Sequence, residues 1–285
     1  MTKFPHSTGS FDKLARIFSY DRNLPLDLRT RKKSEGGITI HTLSWVGLSQ
    51  DRIKGYLVEP EGKESVAGIV FVHPGPGDRS PFLDEARELA GMGAACLLIE
   101  PPWSDGARFG CRAMSSTPEE LRTWYVQMAV DLRRSLDLLE TFPRVDKDRI
   151  GFVGHSFGAL FGGILSGVEK RISSSVLMAG VGSFTDVAVL NIPDLKGEPL
   201  ETFRVVMDPI DPVHYLGHAA PSSLFFQFGR NDAFFPKQKF LDFSGAALDP
   251  KHVRWYDADH YLDAAARIDR REWLGNRLGL GGTLS

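Results

Sequence analysis

The sequence predicts an α/β architecture: a mostly parallel central sheet flanked by helices, with a small cap inserted late in the chain. Three observations carry this. Short apolar runs alternate with helically spaced segments from residue 67 onward, several of those runs are apolar without interruption, and one connection, about 181–221, is far longer than its neighbours. Uninterrupted apolar runs are the mark of strands covered on both faces, which parallel sheets require.

The elements follow in order. The first 37 residues are polar and charge-dense, including LRTRKKSEGG, and read as a solvated lead-in or a surface helix around FDKLARIF. ITIHTLSWV (38–46) and RIKGYLVEP (52–60) are β-rich runs split by a short polar turn, which predicts an antiparallel hairpin. AGIVFVH (67–73) and AACLLIE (94–100) are buried strands, and FLDEARELAGMG between them has helical spacing and ends at glycines. A strand, helix, strand unit implies parallel pairing.

Thr117-Pro118-Glu119-Glu120 combines an N-cap threonine, a proline at the first helical position and a glutamate at the third, so a long helix begins there and runs through DLRRSLDLLET. RIGFV (149–153), SSSVLMAG (173–180), SSLFFQFG (222–229) and HVRWYDA (252–258) supply further strands, and DAAARIDRREWLGNRL a closing helix. Residues 181–221, rich in proline and weakly helical, read as the cap. With no repeats, the partition is a lead-in (1–37), one domain (38–280) carrying the cap, and a tail (281–285).

Composition narrows the function. With 34 basic and 36 acidic residues and a formal charge of −2, the chain has no field that would gather nucleic acid or an anionic membrane. The N-terminus lacks the apolar core of a secretory signal, and no run reaches transmembrane length, so a cytoplasmic protein is expected. Cys96 and Cys111 read as free thiols, and no Cys/His spacing suggests a metal.

The chemistry centres on RIGFVGHSFGALFG (149–162). By chance alone, a chain of this length and composition yields roughly 0.2 matches to G-x-S-x-G. Context decides: a strand delivers Ser156 to the carboxyl edge of the sheet, and a helix starts immediately after it. Gly154 and Gly158 stand where side chains would collide in so sharp a turn, while Gly162 and Gly163 allow the helix to sit close on the sheet.

A serine nucleophile needs an imidazole base oriented by a carboxylate. His260 follows the last strand and lies at the carboxyl edge, whereas His252 begins that strand, roughly 20 Å away at about 3.3 Å per residue. His6 and His41 precede the core sheet, His214 and His218 belong to the cap region, and the His155 side chain should diverge from Ser156. Asp232, just past the 222–229 run, is the expected carboxylate, with Asp186 as runner-up; Asp257 and Asp259 are too close in sequence to His260. Phe157, directly after the nucleophile, should donate one oxyanion amide. The second belongs to His73-Pro74-Gly75-Pro76-Gly77, where the prolines carry no N–H, leaving Gly75 first and Gly77 second.

HPGPG, GHSFG, FGRND and ADH, in that order across residues 38–280, resemble the α/β-hydrolase superfamily, specifically its dienelactone-hydrolase-like and acetyl-esterase-like members. The resemblance implies a serine hydrolase acting on a small-molecule carboxylic ester through an acyl-enzyme, with no cofactor. Ser156 departs from the cysteine that dienelactone hydrolases carry as nucleophile, and HPGPG differs from the HGGPG loop of proline iminopeptidases at Pro74. The same machinery serves thioesterases, amidases, peptidases and acyltransferases, and the fold also occurs in small-molecule receptors. Trp103, Phe184 and Phe234 are candidates for apolar walls of a substrate pocket.

Overall fold

The computed structural model describes residues 8–49, 51–62, 64–75, 77–101 and 116–281. Among the described residues nine strands occur: β1 (Arg29–Glu35), β2 (Ile38–Val46), β3 (Arg52–Pro60), β4 (Val66–Val72), β5 (Ala94–Glu100), β6 (Val145–His155), β7 (Ile172–Met178), β8 (Ser223–Gly229) and β9 (Lys251–Tyr256). They form one sheet in the spatial order β1-β2-β3-β5-β4-β6-β7-β8-β9. Pairing is antiparallel from β1 through β3 to β5, and parallel from β5 to β9.

The helices are α1 (Thr8–Arg16), α2 (Leu83–Met92), α3 (Pro118–Leu139), α4 (Phe157–Val168), α5 (Phe184–Asn191), α6 (Gly197–Met207), α7 (Val213–Leu216), α8 (Lys237–Gly245) and α9 (Ala264–Leu278). Helix α3 opens on the predicted capping box: the Glu120 amide donates to Thr117 Oγ1 at 3.3 Å, and the Thr117 amide donates to Glu120 Oε2 at 2.8 Å.

Strand periodicity divides the core. In β4, Val66, Val70 and Val72 join one apolar cluster, while Ala67, Ile69 and Phe71 join the other. Successive strand side chains point to opposite faces, so a continuous apolar run must be covered twice. Residues of α3 and α4 cover the first face and those of α2 and α9 the second. Residues 181–221 are helical over much of their length, with α6 packed on α3 and α7 on α4.

Helix α1 covers most of the helix read around FDKLARIF, while the rest of the N-terminal segment differs from its sequence reading. Phe18 is fully buried, worth about 1.5–3 kcal/mol by area. Arg29–Glu35 is a strand with every residue exposed, registered from Arg29↔Ser44 to Glu35↔Ile38. Gly36 and Gly37, at φ 60° and 78°, make the turn. A two-residue hairpin with positive φ at both positions strongly favours such a pair. The Gly-Gly signal was present, but five charged residues in seven hid the strand before it.

Candidate active site

Strand β6 runs to His155 and α4 begins at Phe157, so one residue, Ser156, turns the chain. Its φ of 51° and ψ of −113° are strained for a side-chain-bearing residue, at a cost of about 1–3 kcal/mol. The surroundings hold it there: the Ser156 amide donates to Met178 O at 2.7 Å, and the Ser156 carbonyl accepts from Ala159 and Leu160.

A Cβ on Gly154 would sit 2.4 Å from Gly158 O, and one on Gly158 would sit 2.4 Å from Val72 O. Both glycines are therefore demanded by backbone-to-backbone approach. Farther along α4 the roles separate: Gly162 faces Phe152 and Leu177 on the sheet, whereas Gly163 faces Pro212 and Phe243.

The close approach of Gly158 to the Val72 and His73 carbonyls brings the loop after β4, with Gly75, to the elbow. His73 fixes this loop from below. Its Nδ1–H donates to Pro74 O at 2.6 Å, and burial lowers its pKa below the ordinary imidazole value. Farther along, Arg79 pairs with Glu100 at the end of β5 and lies 4.1 Å over the Tyr56 ring. Phe157 occupies the first position of α4, where helix amides point out of the N-terminal end.

On the other side, the β8–β9 pairing continues past both strand ends. The Arg230 amide donates to Tyr256 O at 2.8 Å and the Asn231 amide to Ala258 O at 3.0 Å. Any side chain at Gly229 would collide with Asp259 O, 2.2 Å from its Cβ. This juxtaposition sets Asp232 beside His260: His260 Nδ1–H donates to Asp232 Oδ2 at 2.6 Å.

Asp232 Oδ1 accepts from the amides of Phe234 (2.8 Å) and Phe235 (3.2 Å). Its side chain is 1% exposed. Burial opposes ionisation, but the His260 hydrogen bond and charge, with those two amides, hold its pKa below the ordinary carboxylate value.

The competitors are engaged elsewhere. Asp186 pairs with Lys239 at 2.7 Å, His41 with Glu59 at 2.9 Å and His214 with Asp208 at 3.0 Å. His218 stacks on Phe11, and His252 packs near Phe225 and Trp273.

Of the expected pocket walls, Phe184 is 1% exposed and packs against Tyr125, Phe157 and Phe161. Packed in this way, it presents almost no surface of its own. Phe234 is 51% exposed, its ring centroid 4.7 Å from that of His260. Trp103 lies outside the described residues. Sequence reasoning passed over Tyr261, 67% exposed and edge-on to His260 at 5.8 Å; its place directly after the expected base was the available signal. Phe234 and Tyr261 are the two most exposed aromatic side chains among the described residues.

Among the described residues no group of three or more His, Cys, Asp or Glu side chains is arranged to hold a metal, and no helix is long and apolar enough to cross a membrane.

No family model and no curated protein matches the sequence. Solved structures are similar. An acetyl xylan esterase from a Paenibacillus species aligns at 18% identity over 97% of each chain, with a TM-score of 0.80. An acetyl xylan esterase from a Thermoanaerobacterium species aligns at 14% identity over 95% of this chain and 94% of that one, at 0.78. A cold-adapted esterase from an Arctic intertidal metagenomic library aligns at 16% identity over 87% and 97%, at 0.61. Strand order, elbow and neighbours agree that this chain has the α/β-hydrolase fold.

Proposed function

We propose that the protein is a serine hydrolase cleaving a carboxylic ester of a small molecule, with Ser156 as nucleophile, His260 as base and Asp232 as the orienting acid. The observation that carries this reading is the 2.6 Å His260–Asp232 hydrogen bond formed at the same sheet edge as the strained Ser156 turn.

With Nδ1–H committed to Asp232, the His260 Nε2 lone pair takes the Ser156 hydroxyl proton as Oγ attacks the ester carbonyl carbon. The Phe157 and Gly75 amides stabilise the resulting oxyanion. Collapse expels the alcohol oxygen, which takes the proton back from His260 and leaves an acyl-serine. Water then gives a proton to His260 and attacks the acyl carbon, and release of the acid returns that proton to Ser156. The chemistry needs no metal or organic cofactor.

Because His260 must deliver a proton to the leaving oxygen, groups flanking its ring face the alcohol portion of the substrate. Phe234 and Tyr261 then form the alcohol-side wall, and Phe184 backs the acyl side through Phe157. The region 181–221 acts as the cap over this site. The acetyl xylan esterases among the structural neighbours support a small acyl group on a hydroxylated alcohol.

The test is a panel of aryl esters of increasing acyl length, with matching thioesters and anilides, on the wild type and Ser156→Ala, together with fluorophosphonate labelling mapped by mass spectrometry. Acetate ester turnover with label on Ser156, both lost in Ser156→Ala, is expected. Turnover persisting in that variant, or tight small-molecule binding without any turnover, would sink the reading.

A further inference from the structure

Beside the elbow lies a buried imidazole to which the mechanism gives no role. His155, the middle letter between Gly154 and the nucleophile, is 6% exposed at the end of β6. Its Nε2 lies 2.8 Å from the backbone carbonyl oxygen of His260. A carbonyl only accepts, so Nε2 carries the hydrogen and the tautomer is fixed.

The two rings are 5.3 Å apart, and Tyr261 meets His155 edge-on at 5.9 Å. Burial, and next the charge on His260, push the His155 pKa down to about 3. The ring therefore stays neutral and puts no positive charge against the imidazolium that forms on its neighbour. The charged groups felt from the packed elements are His260 and Asp232 on the loops and Arg270 on α9.

His260 thus has two anchors in different directions. Asp232 holds its ring at Nδ1, which sets rotation; His155 holds its main chain, which sets where the ring starts from. The second anchor belongs to the residue covalently bonded to Ser156, so nucleophile and base are tied through a single peptide unit and one hydrogen bond.

We infer that His155 is a positioning residue: by donating to the His260 carbonyl it fixes the distance at which the base meets Ser156. This rests on the assignment of Ser156 and His260 above. Proton transfer is sensitive to such distances, since displacement by about 1 Å can cost on the order of 10²-fold in rate.

Two substitutions separate positioning from packing. His155→Phe keeps a ring and removes the donor; His155→Gln keeps an N–H of similar reach. With 4-nitrophenyl acetate, His155→Phe is expected to lower kcat by about 10- to 100-fold with KM within about twofold, and His155→Gln to recover most of that loss. The downfield proton resonance of the Asp232–His260 hydrogen bond should broaden or vanish in His155→Phe and return in His155→Gln. This signature needs no turnover.

An unchanged kcat in His155→Phe, a loss only in proportion to unfolded protein, or no recovery by His155→Gln would overturn the inference. So would loss of the native melting transition in both variants, which would assign His155 to packing alone. Failure of the underlying assignment looks different: a wild type with no turnover and no label on Ser156.

Discussion

Two clusters of buried charge sit at opposite edges of the sheet, and they behave differently. At the amino edge, just before β7, Arg171 donates to Glu169 (2.7 Å) and Asp137 (2.7 Å), Arg133 adds a bond to Glu169 at 3.0 Å, and the Tyr20 hydroxyl donates to Asp137 at 2.8 Å. At the carboxyl edge, Asp232 faces one imidazole and two amides.

Both clusters are well satisfied, and both depress a carboxylate pKa: Glu169 and Asp232 each lie below the ordinary value despite burial. The partner makes the difference. A guanidinium stays charged at every working pH, so the amino-edge cluster has one protonation state and can only hold. At the carboxyl edge the partner is an imidazole, which gives one ring N–H to Asp232 and keeps its second ring nitrogen for another partner. Buried charge by itself does not mark a candidate site; an imidazole–carboxylate pair at the sheet edge that carries the strained Ser156 turn does.

The sharpest way to break this comparison is Asp232→Asn. It should lower kcat by about 10³- to 10⁴-fold, because the imidazole loses its orienting acceptor, while calorimetry shows a melting temperature within a few degrees of wild type. Activity within tenfold of wild type would remove Asp232 from the mechanism.

Arg171→Met tests the opposite edge. Stranding Glu169 and Asp137 should cost about 2–4 kcal/mol in urea unfolding, discounted because Arg171 is 16% exposed, with kcat per folded molecule unchanged. A fall in kcat would mean that the amino edge is not merely structural.

Asp211 is a third case. Its Oδ1 accepts from the Phe184 amide at 2.8 Å, and burial raises its pKa to about 7. The folded state therefore binds this proton more tightly than the unfolded chain, and stability falls as pH rises from about 4 to about 7. Asp211→Asn should flatten that slope in melting temperatures measured across pH, with a gain of about 2–4 °C for each kcal/mol recovered. An unaltered slope would show that another group carries it.

The smallest expected effect belongs to the rim. Phe234→Ala and Tyr261→Ala should each raise KM about 3- to 10-fold for acetates of ring-bearing alcohols and leave ethyl acetate within twofold, measured by initial rates. Equal losses on both alcohols would place these rings outside the binding surface.

The parallel half of the sheet was legible because burial on both faces writes uninterrupted apolar runs, as in AGIVFVH and AACLLIE. The pairing of Asp232 with His260 was legible from one rule, that partners for a serine at the carboxyl edge would have to end strands at that same edge. Two features were not legible. The inward turn of His155 depends on how the β9 loop returns over β6, a tertiary fact with no local pattern. Exposure of Phe234 against burial of Phe184 depends on how the loop after β8 and the first turn of α5 pack, and a phenylalanine letter is silent on that.

The all-exposed strand β1 has a consequence of another kind. An outermost strand offers a row of unpaired amides and carbonyls, a ready template for another molecule's strand and hence for aggregation. Here that row is lined by Arg29, Arg31, Lys32, Lys33 and Glu35. Crowded cations repel their own copies and hold a shell of water, so the charge that concealed the strand in the sequence also opposes strand addition at this edge.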